Sequence, residues 1–153
     1  MVHEMRLTLY MVCMLDSIHS ARWLHQFADQ DASFYIFPSS PHRRIHPELK
    51  RLLDGGHRAS YQIVPAGRHF SLPLWILDKF TNNLFRGLLL RQFIKKHKPS
   101  IVHALELQNA GYVVLKALEN RKPASLRLIV TNWGSDIFWF QKYPKHRDKL
   151  VRL

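Results

Sequence analysis

The chain has 153 residues, 46% of them hydrophobic, which is the size and composition of one globular domain with its own core. Its single cysteine, Cys13, excludes an internal disulfide framework. The net charge of +12 implies an anionic neighbour, which could be a nucleic acid, a membrane surface, a phosphorylated ligand or an acidic partner. The apolar run from Leu7 to Leu15 is too short to span a bilayer and has no signal-peptide cleavage pattern after it. These features predict a cytoplasmic protein in a reducing compartment.

Strands and helices alternate in the first half of the chain. The run from Leu7 to Met14 is continuously apolar, which is typical of a strand buried on both faces of a parallel sheet. Trp23, Leu24 and Phe27 then recur at helical spacing. The elements predicted here are a strand from Leu7 to Met14, a helix from Ser17 or His19 to Gln30, a strand from Ser33 to Phe37, a short helix from Pro47 to Leu53, and a strand from Ser60 to Val64.

The second half continues the alternation. Pro99 ends a long predicted helix that carries an apolar stripe of Leu77, Phe80, Leu84 and Leu88. The elements predicted here are a helix from Leu74 to His97, a strand from Ile101 to Leu105, an apolar helix from Gln108 to Glu119, a strand from Leu126 to Thr131, and an amphipathic helix that begins at Pro144. Because the sequence stops at Leu153 inside that last pattern, we expect a truncated fragment or a split subunit.

This alternation predicts an α/β fold, a Rossmann-like open parallel sheet with helices on both faces and right-handed crossovers. We place the first, fourth and fifth strands near the centre of the sheet. Asp16, His103 and Asn132 should then converge at the carboxyl ends of the strands, which is where open α/β sheets bind ligands. The polar turn that contains Asn132, Ser135 and Asp136 directly follows the fifth strand, and Asp136 is placed to cap the next helix.

Four short motifs carry a resemblance to a known family. They are Asp16-Ser17-Ile18-His19-Ser20-Ala21-Arg22-Trp23, Pro99-Ser100-Ile101-Val102-His103-Ala104-Leu105-Glu106, Gln108-Asn109-Ala110-Gly111-Tyr112, and Trp133-Gly134-Ser135-Asp136. In order and spacing the chain resembles the amino-terminal, acceptor-side domain of GT-B glycosyltransferases of family 4, across nearly its whole length. In that family the last motif commonly reads His-Gly-Ser/Thr-Asp.

The resemblance implies transfer of a sugar from a nucleotide-sugar to a glycan or lipid-linked acceptor, usually with retention and without a metal. Residues 1–153 would form a single Rossmann-like domain, truncated before the donor-binding domain that usually grips the diphosphate. We therefore expect a donor-binding domain or a separate subunit as partner, and no activity from this chain alone. The implied setting is polysaccharide biosynthesis.

Candidate substrate-binding residues follow the first strand. His19 and Arg22 are predicted to reach into the interdomain cleft toward the acceptor or a donor phosphate, because an arginine fork and a helix N-terminus both suit phosphate. Alternatively, Asp16 caps the helix and Arg22 is solvated. The sequence has no G-x-G-x-x-G motif at this position, which disfavours a dinucleotide cofactor. The nucleotide-sugar is thus expected as a co-substrate, with no cofactor.

The remaining candidates follow the fourth and fifth strands. His103 is the candidate catalytic residue, since it could hydrogen-bond a sugar hydroxyl with Glu106 orienting it; alternatively His103 is a core histidine and Glu106 a helix-end carboxylate. Trp133 replaces the usual histidine of the last motif. Indole cannot act as a general base, but it can stack on a sugar face or an apolar acceptor. Alternatively, Trp133 is a packed residue of the loop. Asn132, Ser135 and Asp136 complete the predicted substrate-binding set.

Other function classes have weaker support. There is no Cys pair and no His-Glu-x-x-His, so we predict no metal site. A basic α/β module for nucleic acid or an acidic partner would explain the charge but not the strand-end motifs, and the aromatic residues fall mostly at core positions rather than along a basic stripe. Peripheral contact with the inner face of a membrane is compatible with glycosyl transfer, through an apolar segment beside Arg68 that comprises Phe70, Leu72, Leu74 and Trp75.

Overall fold

The protein is described by a computed structural model over residues 7–41, 44–65, 71–119, 123–132 and 135–153, with the side chains at 71, 135 and 136 excepted. Strands and helices alternate along these ranges. In chain order they are β1 (Leu7–Cys13), α1 (Ile18–His25), β2 (Ala32–Pro38), α2 (Pro47–Leu53), β3 (Ser60–Ile63), α3 (Ser71–Thr81), α4 (Leu84–His97), β4 (Ile101–Ala104), a wide helical turn (Leu107–Gly111), α5 (Tyr112–Leu118), β5 (Arg127–Val130), α6 (Ser135–Phe140) and α7 (Pro144–Arg152).

The five strands form one sheet in the order β3-β2-β1-β4-β5, and every neighbouring pair is parallel. The predicted α/β fold class is confirmed. The predicted central position holds for β1 and β4 but is wrong for β5, which lies at an edge, because β2 and β3 occupy the other side of β1. The register places Met11, His103 and Ile129 side by side across β1, β4 and β5.

Two cores cover the two faces of the sheet. Successive residues of β1 enter opposite cores, with Leu9 and Met11 in one and Tyr10 and Val12 in the other, which explains why the strand is apolar without alternation. The first core packs against α1 and α2 through residues that include Leu24, Leu49 and Leu52, and the second packs against α4 and α5 through residues that include Leu90, Val113 and Ala117.

The predicted long helix from Leu74 to His97 is wrong, because it is interrupted at Asn82 and Asn83. Both asparagines are left-handed, with φ of 53° and 64°, a conformation that asparagine tolerates better than most residues. The Asp78 carboxylate accepts hydrogen bonds from the backbone N–H groups of Phe85 at 2.9 Å and Arg86 at 3.2 Å. These bonds satisfy donors at the start of α4, so the break ends one helix and begins another.

The break leaves most of the predicted apolar stripe on the surface. Phe80 is 86% exposed, and Leu77 and Leu88 are also exposed, while α4 contacts the core through Leu90 and Ile94 instead. We call the exposed apolar residues of α3 the α3 face; they are Leu72, Ile76, Leu77 and Phe80. The Lys79 ammonium lies 3.8 Å from the centroid of the Trp75 ring on the same helix. The helix therefore presents apolar and cationic groups together.

The carboxyl-terminal segment forms two short helices. The amphipathic pattern from Pro144 predicts α7 correctly, whereas α6 has no counterpart among the predicted elements. Asp136 was expected to precede and cap the helix, but it is the second residue of α6. Of the neighbouring aromatic residues, Phe138, Trp139 and Tyr143 are exposed, and the Lys142 ammonium lies 4.8 Å from the ring centroids of both Phe138 and Trp139.

Candidate functional site

Three of the predicted site residues, Asp16, His103 and Asn132, lie at the carboxyl end of the sheet. Asp16 is exposed in the turn after β1, His103 is in β4, and Asn132 is exposed two residues beyond β5. The neighbouring strand ends are tied together, since the backbone N–H of Thr131 donates to Ala104 O at 2.8 Å and that of Leu105 donates to Val12 O at 3.0 Å. The parallel strand ends thus bring residues from distant parts of the sequence to one edge of the sheet. We call this edge, at the carboxyl ends of the strands, the rim.

His103 is buried at this rim, with only 2% of its surface exposed. Its Nε2 shares a 2.6 Å hydrogen bond with Thr131 Oγ1, and its ring meets Trp23 edge-on at 4.5 Å between centroids. Nδ1 is buried and has no hydrogen-bond partner among the described residues. Burial lowers the pKa of His103 to about 4, so the imidazole is neutral at pH 7.

The hydrogen bond with Nε2 of the neutral His103 ring fixes the orientation of the Thr131 side chain. Thr131 is the last residue before the polar turn. The catalytic role of His103 stays a prediction. Direct proton exchange with a substrate would require the ring to be uncovered, because general acid–base catalysis needs the imidazole and the substrate within hydrogen-bond distance of each other.

Glu106 anchors a second buried group at the rim. Glu106 is 7% exposed, and its carboxylate accepts a 2.5 Å hydrogen bond from the hydroxyl of Ser39, which follows β2. The carbonyl of the same Ser39 accepts a hydrogen bond from the Arg86 guanidinium, and Arg86 Nε donates to the Asp78 carboxylate at 2.6 Å. We call Asp78, Arg86, Ser39 and Glu106 the rim network. It connects α3 and α4 to the ends of β2 and β4.

The rim network also borders the single cysteine. The pKa of Cys13 is raised to about 12, first by burial and further by the negative charge of Glu106, while a hydrogen bond with Ser20 lowers it. The thiol therefore stays protonated and acts as a packing group. Cys13 is buried.

The turn that opens α1 is capped by serine. The Ser17 hydroxyl accepts from the backbone N–H of His19 at 3.2 Å, so the alternative in which Asp16 caps the helix is wrong. The carboxylate of Asp16 remains exposed at the rim beside this helix start. It is thus placed where it can accept a hydrogen bond from a ligand hydroxyl.

Arg22 lies in different surroundings from Asp16. It lines a cleft of about 430 Å³ formed by α1, α2 and the loop before β3, together with His25, Glu48, Arg51, Leu52 and His57. We call this space the α1–α2 cleft. Of the other predicted substrate-binding residues, Trp133 lies outside the described residues, and Ser135 and Asp136 are placed only as the first two residues of α6.

Sequence reasoning missed Ser39, Asp78 and Arg86. Ser39 sits in a Pro-Ser-Ser-Pro turn that follows a predicted strand, so the rule that ligand sites gather at strand ends could have included it. Asp78 and Arg86 look like ordinary helix-surface charges in the sequence. Their burial depends on the break at Asn82 and Asn83, which the sequence pattern does not predict.

Within the described ranges, every helix is too short or too polar to span a bilayer. No three His, Cys, Asp or Glu side chains in those ranges are grouped as metal ligands would be.

An all-parallel sheet with helices on both faces and polar groups gathered at its carboxyl rim defines a Rossmann-like domain. Residues 9–153 match the sequence model of the family described as glycosyl transferase 4-like, and the chain belongs to this family. The resemblance predicted from the four motifs is thereby confirmed. Among curated proteins, none matches the chain.

Proposed function

We propose that this chain is the acceptor-side half of a glycosyltransferase that moves a sugar from a nucleotide-sugar to a glycan or lipid-linked acceptor. The family membership supports sugar transfer, and the observation that carries the acceptor role is the rim itself. Buried Glu106 and His103 are each hydrogen-bonded to a residue that follows or ends a strand, Ser39 and Thr131. Such preorganised polar groups are suited to holding a substrate in one orientation.

In this proposal the exposed side chains at the rim contact the acceptor. The carboxylate of Asp16 accepts a hydrogen bond from an acceptor hydroxyl, and the amide of Asn132 both donates and accepts. His103 and Glu106 hold Thr131 and Ser39 in place behind them. Stabilisation of the departing diphosphate falls to a donor-binding domain or a separate subunit, because the developing charge needs cationic or N–H groups aimed at it.

Binding measurements test whether this chain binds the acceptor and leaves the nucleotide-sugar to another domain or subunit. Saturation-transfer NMR with a panel of soluble oligosaccharides and with UDP-glucose should show oligosaccharide binding that weakens about tenfold in Asp16→Asn or Asn132→Ala, the effect of one lost hydrogen bond. Asp54→Asn is the control, since Asp54 is exposed and ends α2 on another part of the surface. Tight UDP-glucose binding without any oligosaccharide binding would contradict the acceptor role.

Turnover is the second test. The purified chain should neither hydrolyse nor transfer sugar from a nucleotide-sugar, as followed by release of nucleoside diphosphate. Turnover that disappears in His103→Ala would show that this chain holds a complete catalytic set.

We also propose peripheral contact with an anionic membrane, supported by the α3 face, by Lys79 over Trp75 and by the net charge of +12. Flotation with phosphatidylcholine vesicles containing phosphatidylglycerol should recover the protein, and Phe80→Glu should reduce the recovery. Val151→Glu adds the same charge at an exposed site on α7 and serves as the control. Equal loss in both variants, or no flotation at all, would contradict contact through α3.

A further inference from the structure

The α1–α2 cleft is lined by residues other than those of the rim. In a strand-helix-strand unit the helix runs back toward the amino end of the sheet. Arg22 and His25 are in the last turn of α1, so they lie farther from the carboxyl end of the sheet than the start of that helix does. Arg51 is likewise in the last turn of α2, and His57 lies in the loop that leads into β3. Glu48 lies in the first turn of α2, so the cleft extends along the helices, and neither Asp16 nor Asn132 lines it.

Basic side chains outnumber acidic ones around this cleft. Two guanidinium groups, from Arg22 and Arg51, and two imidazoles, from His25 and His57, line it against the single carboxylate of Glu48. The rings of His25 and His57 are 6.3 Å apart between centroids. Among the described residues, neither arginine is in an ion pair. Helix C-termini favour basic residues, which accounts for cations at the ends of α1 and α2 but not for their convergence on one cleft.

The size and the polarity of the cleft restrict the ligand. A volume of about 430 Å³ lies within the range of roughly 300 to 1,000 Å³ that small-molecule sites occupy and exceeds what a phosphate group alone needs. Two arginine forks suit the oxygens of one phosphate. The Glu48 carboxylate would repel a second phosphate but accept hydrogen bonds from hydroxyl groups. Leu52, which is buried, supplies an apolar floor.

We propose that the α1–α2 cleft binds a phosphorylated sugar, with Arg22 and Arg51 on the phosphate and Glu48 on the hydroxyl groups. His25 and His57 flank the ligand and add donors. This site is separate from the acceptor site at the rim and does not depend on the proposed transferase activity. In this proposal Arg22 binds a phosphate, as the sequence predicts, but it does so in the α1–α2 cleft and not in the interdomain cleft.

Isothermal titration of the whole chain with glucose 6-phosphate tests the proposal. Saturable binding is expected, and Arg22→Ala or Arg51→Ala should each weaken it about tenfold or more, since a hydrogen bond to a charged group is lost. Glu48→Gln should weaken glucose 6-phosphate binding while leaving inorganic phosphate binding unchanged or tighter. Lys50→Ala is the matched control, because Lys50 precedes Arg51 on α2, is exposed and does not line the cleft.

The alternatives are decided by the other probes. Inorganic phosphate or sulfate that binds as tightly as glucose 6-phosphate would reduce the cleft to a general anion site and overturn the proposal. Binding to phosphatidylglycerol vesicles that needs Arg22 and Arg51, without binding of the free sugar phosphate, would overturn it in favour of a lipid headgroup. Absence of any saturable binding, or equal loss in Lys50→Ala, would also overturn it. All four substituted residues are at least partly exposed, so the variants should fold.

Discussion

Polar side chains are buried at the rim of this domain, and large apolar side chains are exposed on its outer helices, which is the reverse of the usual distribution. At the rim, Asp78, Arg86, His103 and Glu106 are buried, and each makes a hydrogen bond there. On α3 and α6, by contrast, Phe80 and Trp139 are exposed, the latter by 56%. Buried polar groups cost free energy unless they are satisfied, and large exposed apolar patches mark surfaces that bind something. The rim is thus a fixed internal framework, whereas the outer helices leave large apolar side chains exposed.

The largest effect is expected from breaking the buried ion pair of the rim network. Asp78→Ala should lower the free energy of unfolding by about 3 to 5 kcal/mol, because it leaves the Arg86 charge buried and removes the acceptor for two N–H groups of α4. Urea unfolding measures it. Glu119→Ala breaks partly exposed pairs with Lys116 and Arg152 and should cost only about 0 to 1 kcal/mol. Equal effects of the two changes would contradict the distinction.

The buried histidine should make stability depend on pH. Because the pKa of His103 is lowered from 6.5 to about 4 in the folded chain, the unfolded chain takes up a proton first as pH falls. Its stabilising contribution is present above pH 6.5 and is lost between pH 6.5 and about 4, by roughly 3 kcal/mol at most. Unfolding curves of wild type and His103→Gln over this range test it, since carboxylate titrations are common to both. Parallel pH dependences in the two proteins would contradict burial of a neutral ring.

The contact between α4 and α5 should tolerate no added volume. A Cβ at Gly87 would lie 2.9 Å from Lys116 Cβ and 3.3 Å from the backbone nitrogen of Ala117. Gly87→Ala should therefore cost about 1 to 3 kcal/mol despite the better helix propensity of alanine. Lys95→Ala, at an exposed position on the same helix, should stay within about 0.5 kcal/mol. A stabilising Gly87→Ala, measured by thermal unfolding, would mean that the two helices separate easily.

Substitutions on the outer helices should hardly change stability but should change association. Trp139→Ser is expected to alter the free energy of unfolding by less than about 0.5 kcal/mol, since the ring is exposed. Light scattering on wild type should show association that increases with salt, because salt screens the repulsion between chains of charge +12. The variant should associate less. A monodisperse wild-type monomer at every ionic strength would rule out an adhesive surface here.

The sequence predicts the alternating framework well because the signals are local. The apolar run in β1, Pro99 after α4 and the amphipathic pattern after Pro144 each act within a few residues, and each prediction agrees with the structure. The break at Asn82 and Asn83 is invisible for a different reason. It depends on Asp78 turning back onto the start of α4, and a helical pattern alone does not reveal such a contact.

The candidate site divides in the same way. Asp16, His103 and Asn132 could be assigned to one end of the sheet because parallel strands bring their carboxyl ends together. The hydrogen bond between Ser39 and Glu106 joins residues 67 positions apart, and no local pattern records that pairing. Arg22 looked like part of the same site because it follows the same strand, but the helix carries it to another cleft.

The rim network makes α3 and the strand ends parts of one thermodynamic system. Asp78 belongs to α3, Arg86 to α4, and Ser39 and Glu106 to the ends of β2 and β4, with each member hydrogen-bonded to the next. If a ligand at the rim displaced Ser39, its bond with Arg86 would carry that change toward α3, and a molecule that covered the α3 face and moved Asp78 would act on Ser39 in return. Linkage requires the two effects to be equal, so the factor by which covering α3 changes affinity at the rim is also the factor by which a rim ligand changes the covering.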